Sequence, residues 1–121
     1  NIIANSFSVV DENNYSMGIG NIISYSCGFS CNVRIGNFNV FNSFNYFGHD
    51  VTIGDFNSFM PGVRVSGEVI IGDSNIFGVN AIVLQQVKIG NYTVIGAGGV
   101  VMRNTRDRST YLGNPASLFK Y

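Results

Sequence analysis

Apolar residues recur along this chain at an interval of six. From Met17 onward the series runs Met17, Ile23, Phe29, Ile35, Phe41, Phe47, Ile53, Phe59, Val65, Ile71, Phe77, Val83, Ile89, Ile95 and Val101, and every member is apolar. An amphipathic helix repeats at 3.6 residues and a flat strand at two, so neither alone produces this spacing. A second line lies two residues earlier in each six: Cys27, Val33, Asn39, Asn45, Val51, Asn57, Val63, Val69, Asn75, Ala81, Val87, Thr93 and Gly99, all small or medium-sized. Two inward positions separated by one outward position are the alternation of a β-strand. The remaining three residues of each six must then turn a corner.

Glycine sets a longer period. Gly18, Gly36, Gly54, Gly72 and Gly90 are eighteen apart, four of them in Ile-Gly pairs. Glycine suits either an unusual backbone angle or a close approach of two chain segments. Eighteen is three sixes, so the chain makes a three-sided coil and returns above itself, stacking residues eighteen apart at the strand spacing of about 4.8 Å. One stack is Asn21, Asn39, Asn57 and Asn75 with Thr93 next, and another is Phe41, Phe59 and Phe77. Inward asparagines in such a column can hydrogen-bond along it, which offsets the cost of burying amides. The predicted fold is all-β, a parallel β-helix of hexapeptide repeats over residues 17–101, roughly 4.7 coils and about 23 Å tall at that spacing. Residues 1–16 carry Asp11 and Glu12 where the apolar line should continue, and read as a partial first coil or a domain junction. Residues 102–121 form a C-terminal tail or cap. In it Gly113-Asn114-Pro115-Ala116 is a turn, and Ser117 to Tyr121 reads as the start of a short helix.

The composition narrows the functional classes. The chain has 121 residues, a formal net charge of zero and only 12% charged residues. A nucleic-acid binder would carry a basic surplus, and 45% hydrophobic content argues against disorder. No apolar run reaches the length of a membrane span. The start Asn1-Ile2-Ile3-Ala4 shows no basic segment of a signal peptide and no initiator Met, which suggests a fragment or a processed chain. The charge is uneven: the tail has Arg103, Arg106, Arg108 and Lys120 against Asp107 alone, which suits either a solvated cap or the phosphates of an anionic ligand. Cys27 and Cys31 are four apart, which fits neither a metal knuckle nor a redox pair, and they are expected reduced in a cytoplasmic protein.

Candidate chemistry centres on the single histidine. His49 lies in Phe47-Gly48-His49-Asp50-Val51, two positions after an inward residue and so at an accessible corner. Imidazole is the side chain best suited to general-base work near pH 7. Asp50 is placed to orient it. The column containing His49 has Cys31 one coil below and Gly67 one coil above. Gly67 leaves room over the ring and offers a backbone N–H that can polarise a carbonyl. Cys31 as a nucleophile paired with His49 is a weaker reading, since nothing marks an activated thiol. Cys27 falls on the inward line.

The hexapeptide line with Gly48-His49-Asp50-x-x-Ile53-Gly54-Asp55 resembles the bacterial sugar acetyltransferases of the left-handed β-helix superfamily. The nearest group is the sialic-acid O-acetyltransferase family, which includes N-acetyltransferases of nucleotide-linked 4-amino sugars. The resemblance runs from about Asn42 to Pro115 and includes Val65-Ser66-Gly67-Glu68-Val69, Ile95-Gly96-Ala97-Gly98 and Gly113-Asn114-Pro115-Ala116. It implies a left-handed coil and transfer of an acetyl group from acetyl-CoA to an amino or hydroxyl group of a sugar. It implies His49 as general base, Asp50 as its supporting carboxylate and the Gly67 N–H as donor to the thioester carbonyl. Ser58, Val79 and Ala97 would lie near coenzyme A, with Arg103 beside its phosphates and Asn42 beside the acceptor. Ser58 departs from members with His at that position. The resemblance further implies a homotrimer, with the cofactor groove between adjacent prisms and the Phe-rich faces partly at the interface. Members usually carry an N-terminal α/β domain that binds the nucleotide sugar. No metal, nucleic acid or membrane is implied. Two other enzymes of this fold fit poorly: the zinc carbonic anhydrases need three His, and the serine O-acetyltransferases need a second. A non-catalytic scaffold is the remaining alternative.

Overall fold

The computed structural model describes residues 1–120. Every regular element in it is a strand, and nearly all are two residues long. They stack into three parallel sheets that form the sides of a left-handed β-helix. The first face carries Ile2–Ile3, Ile22–Ile23, Val40–Phe41, Ser58–Phe59, Ile76–Phe77, Val94–Ile95 and Thr110–Leu112. The second carries Ser8–Val9, Gly28–Phe29, Tyr46–Phe47, Arg64–Val65, Ile82–Val83 and Val100–Val101. The third carries Ser16–Met17, Arg34–Ile35, Thr52–Ile53, Ile70–Ile71 and Lys88–Ile89.

Register follows the period of eighteen through the body of the coil, as in Ser58↔Ile76 and Ile71↔Ile89. It changes at both ends. Ile2 pairs with Ile22 and Ser8 with Gly28, so the first coil is two residues longer. The extra residues fall between Val9 and Ser16, at the Asp11–Glu12 segment, and the inward line resumes before them at Val9 and Ile3. At the top, Val94 pairs with Thr110, so the last coil is two residues shorter.

The inward line forms the core. Ile23, Phe29, Phe41, Phe47, Phe59, Phe77, Ile95 and their companions are buried. Phe41, Phe59 and Phe77 stack nearly parallel at centroid distances of 4.9 and 4.7 Å, and Phe29 stacks on Phe47 at 5.0 Å. The two columns meet edge to face. These rings fill the interior, so the expectation that the Phe-rich faces lie partly at an interface is corrected: a ring on the inward line points away from any neighbour. The phenylalanines at the surface are others, Phe38, Phe44 and Phe56.

The corners repeat with equal strictness. Every sixth residue from Gly20 to Gly98 has a positive φ, between 53° and 77°, although most of these residues are not glycine. A non-glycine residue in this region costs about 1 kcal/mol or more. From Phe38 to Gly98 the backbone N–H at each such position donates to a carbonyl in the coil below, as in Asp50 to Cys31 and Glu68 to His49. The glycines at the eighteen-residue period, Gly36, Gly54, Gly72 and Gly90, serve close approach instead of φ. A Cβ on Gly54 would lie 2.6 Å from the Gly72 carbonyl oxygen, and one on Gly72 would lie 2.7 Å from that of Gly90.

Two side-chain ladders run up the corner between the third and first faces. Inside, Asn57 Oδ1 accepts the Asn75 N–H at 2.9 Å and its Nδ2 donates to the Gly72 carbonyl at 2.9 Å. Asn39 and Asn75 repeat both bonds. Outside, the residues after Gly54, Gly72 and Gly90 accept from the coil below: Asp55 from the Asn37 N–H, Asp73 from Asp55 and Asn91 from Asp73, and Asp107, after Arg106, continues the ladder by accepting from Asn91.

The tail is a hairpin, which corrects the expected helix. Thr110–Leu112 continues the first face, and Ser117–Phe119 pairs antiparallel with it across the Gly113–Ala116 turn. The top coil presents unpaired edge groups that a strand can satisfy and a five-residue helix cannot. Tyr111 and Ala116 also pack against the core. Tyr121 lies outside the described residues.

Asn57→Ala would strand the Asn75 N–H and the Gly72 carbonyl inside the prism. It is expected to lower unfolding free energy by about 2–4 kcal/mol in a denaturant titration. Gly54→Ala should also destabilise through collision with the coil above, despite its ordinary φ. A substitution without effect at either position would contradict the ladder.

Candidate active site

His49 stands at the corner between the second and third faces, held by the strand Tyr46–Phe47 before it and the positive-φ Asp50 after it. Gly48 is required here, because a Cβ on it would lie 2.8 Å from the Gly67 nitrogen. The imidazole rises over Gly67, where any Cβ would collide with His49 Nε2. Gly67 is buried, and among the described residues its N–H has no hydrogen-bond acceptor. His49 and Asp50 remain half exposed, at 50% and 49%.

Asp50 orients the ring. Its Oδ2 lies 2.9 Å from His49 Nδ1. With a carboxylate there, neutral His49 carries its proton on Nδ1 and leaves Nε2, the atom beside Gly67, as the free base. Asp50 Oδ1 accepts from Asn32 Nδ2 at 2.6 Å. Asn32 and His49 together hold the Asp50 carboxyl below its usual range, with the Asn32 bond the largest cause. Asn32 was not among the residues the sequence singled out. The signal was present in the period, since it sits eighteen residues before Asp50 and directly beneath it.

The other expected site residues are spread over the prism. Cys31 lies exposed one coil below His49 without a side-chain hydrogen bond among the described residues. Cys27 is buried, donates its thiol to the Asn42 carbonyl at 3.0 Å, and has its pKa raised by burial. Ser58 faces outward on the first face between Val40 and Ile76. Asn42, Val79 and Ala97 lie at the corner between the first and second faces, where the Gly98 N–H donates to the Val79 carbonyl. Arg103 is exposed near the top, lining a cleft of about 500 Å³ with Arg106, Tyr111 and Leu118. One chain therefore brings His49, Asp50 and Gly67 together, while Asn42, Ser58, Val79 and Ala97 occupy a different part of the prism. No group of three or more His, Cys, Asp or Glu that could hold a metal occurs among the described residues.

No protein-family model matches the chain, and no curated protein matches it by sequence. Solved structures match closely. A His-to-Asn mutant of perosamine N-acetyltransferase from Caulobacter crescentus, in complex with CoA and GDP-perosamine, superposes with a TM-score of 0.94 at 27% identity. That match covers 99% of this chain and 57% of the other. WeeI from Acinetobacter baumannii AYE gives 0.91 at 29% identity, over 96% of this chain and 56% of its own. The acetyltransferase domain of PglB from Neisseria gonorrhoeae FA1090, in complex with acetyl coenzyme A, gives 0.92 at 25% identity, over 97% and 56%. The chain shares its β-helix with these solved acetyltransferase structures. It spans a little over half the length of the structures it matches.

The lowered Asp50 pKa carries a sign. Stability from its ionised pairing is fully present above the unfolded carboxylate pKa, about 3.9, and is lost as pH falls through the lower folded value. Asp50→Asn is expected to reduce stability at neutral pH and to approach wild type in strong acid. Denaturant unfolding across that range checks it, and a difference independent of pH would contradict it.

Proposed function

We propose that this chain is the catalytic β-helix of an acetyl-CoA-dependent sugar acetyltransferase, with His49 as general base. The observation that carries this reading is the Asp50–His49 pair set against the Gly67 N–H. The two halves of an acyl-transfer site, a base and a carbonyl-polarising donor, share one corner. In the proposed step the acceptor amine or hydroxyl gives its proton to His49 Nε2 and attacks the thioester carbonyl. The Gly67 N–H stabilises the oxygen as it gains negative charge. When the carbon–sulfur bond breaks, coenzyme A leaves as thiolate and His49 returns the proton to it. Asp50 holds the ring and balances the imidazolium charge without itself being protonated.

The perosamine enzyme binds CoA and GDP-perosamine, which supports a nucleotide-linked amino sugar as acceptor and N-acetylation as the reaction. It has also been solved as His-to-Asn and His-to-Ala mutants. We further place Ser58, Val79, Ala97 and Arg103 on coenzyme A and Asn42 on the acceptor. Because these positions do not converge within one chain, the reading requires a homotrimer whose grooves pair the His49 corner of one prism with the opposite side of the next. Exposed Ile22, Tyr46, Ile76 and Val94 on the outer faces support such packing. The free thiols of Cys27 and Cys31 suit a cytoplasmic protein.

The test is acetyl transfer from acetyl-CoA to GDP-perosamine, with calorimetry of acetyl-CoA alongside. His49→Ala should lower kcat by about 10²- to 10⁴-fold while acetyl-CoA still binds, and Arg103→Ala should weaken that binding. A folded trimer that neither binds acetyl-CoA nor depends on His49 would sink the enzyme reading and leave a scaffold.

A further inference from the structure

Resting on the reading of His49 as the base, we propose that Asn32 is a positioning residue that fixes the Asp50 carboxylate and thereby sets the tautomer and aim of the imidazole. Asn32 and Asp50 occupy equivalent corner positions in successive coils, with φ of 56° and 58°. Asn and Asp tolerate that region better than most residues. Stacking therefore places one side chain directly over the other. Asn32 Nδ2 donates to Asp50 Oδ1 at 2.6 Å, which turns Oδ2 toward His49 Nδ1 at 2.9 Å.

A carboxylate held at only one oxygen rotates about its terminal torsion, which is broad. Held at both oxygens, it presents the second in a fixed direction. The amide's other end shows the cost of the arrangement. Asn32 Oδ1 is buried and has no hydrogen-bond partner. Buried polar atoms are normally paired, so the side chain keeps an orphaned oxygen while its nitrogen stays on Asp50. Turning the amide over would set oxygen against the carboxylate.

The same corner supplies its own control. Three coils above Asn32, at the equivalent corner position, Gln86 Nε2 donates to Oε2 of Glu68 one coil below it at 3.2 Å. That pair has the same amide–carboxylate chemistry on the same edge but no histidine attached. If Asn32 merely joins coils, removing either amide should be equivalent.

Because His49 is the only histidine, nitrogen NMR of its ring reads the proposal directly, without substrate. Wild type is expected to show the Nδ1–H tautomer when neutral. Asn32→Gly keeps the backbone angle and deletes the amide, while Asn32→Asp keeps the shape and replaces the donor. Both should raise the Nε2–H population severalfold, and Gln86→Gly should leave the wild-type spectrum. If Asn32→Gly does not fold, Asn32→Asp decides. A wild-type tautomer in the folded Asn32 variants, or an equal change in Gln86→Gly, overturns the proposal. A wild type that transfers no acetyl group would instead defeat the enzyme reading while leaving this spectrum interpretable.

Discussion

The interior asparagine column is the constraint on which the rest of this fold depends. A two-residue strand gives few ladder bonds, and each corner leaves backbone groups that the core cannot solvate. Asn39, Asn57 and Asn75 supply what the corner lacks. Each amide accepts an N–H from the coil above and donates to a glycine carbonyl. Those glycines must be glycines because the coils approach too closely there for a Cβ. The outer Asn and Asp ladder closes the same corner from the other side. Two opposed ladders fix the rise between coils, and that rise is what stacks Asn32 under Asp50 and His49 under Gly67.

The geometry of the proposed site thus comes from the same repeat that builds the wall. Residues eighteen apart meet whatever their chemistry, so a site arises wherever the outward corner positions change from ordinary to reactive. His49 needs no loop or helix to hold it. It is aimed by a carboxylate from its own corner, seated against a glycine from the coil above, and steadied through an amide from the coil below. The remaining candidate contacts lie across the prism, which is why the proposed function calls for a second chain to complete the site.

Much of this was legible in the sequence because the period is strict. The six-residue line named the buried residues from Ile23 to Val101, and the glycine spacing gave the three-sided coil. The His49, Asp50 and Gly67 grouping followed from adding eighteen. Less was legible where the period changes or where two causes share one residue type. The first coil carries two extra residues at Asp11 and Glu12, which hid its strands Ile2–Ile3 and Ser8–Val9. The tail was read from its own short segment, whereas the unpaired edge of the top coil makes Ser117–Phe119 a strand. Composition does not distinguish a glycine chosen for φ from one chosen for closeness, and the positive φ falls two residues after Gly36 and Gly54, at Phe38 and Phe56. Asn32 was visible one period below Asp50, but only the bond between them gives it a role.

The most direct measurement follows the imidazole resonance of His49 while acetyl-CoA is added to the assembled protein. If the His49 corner is the acetyl-transfer site, the signal shifts and saturates as the thioester settles beside Nε2 and Gly67. Saturating acetyl-CoA that leaves the resonance unmoved would contradict the account, whatever the quality of the fold match.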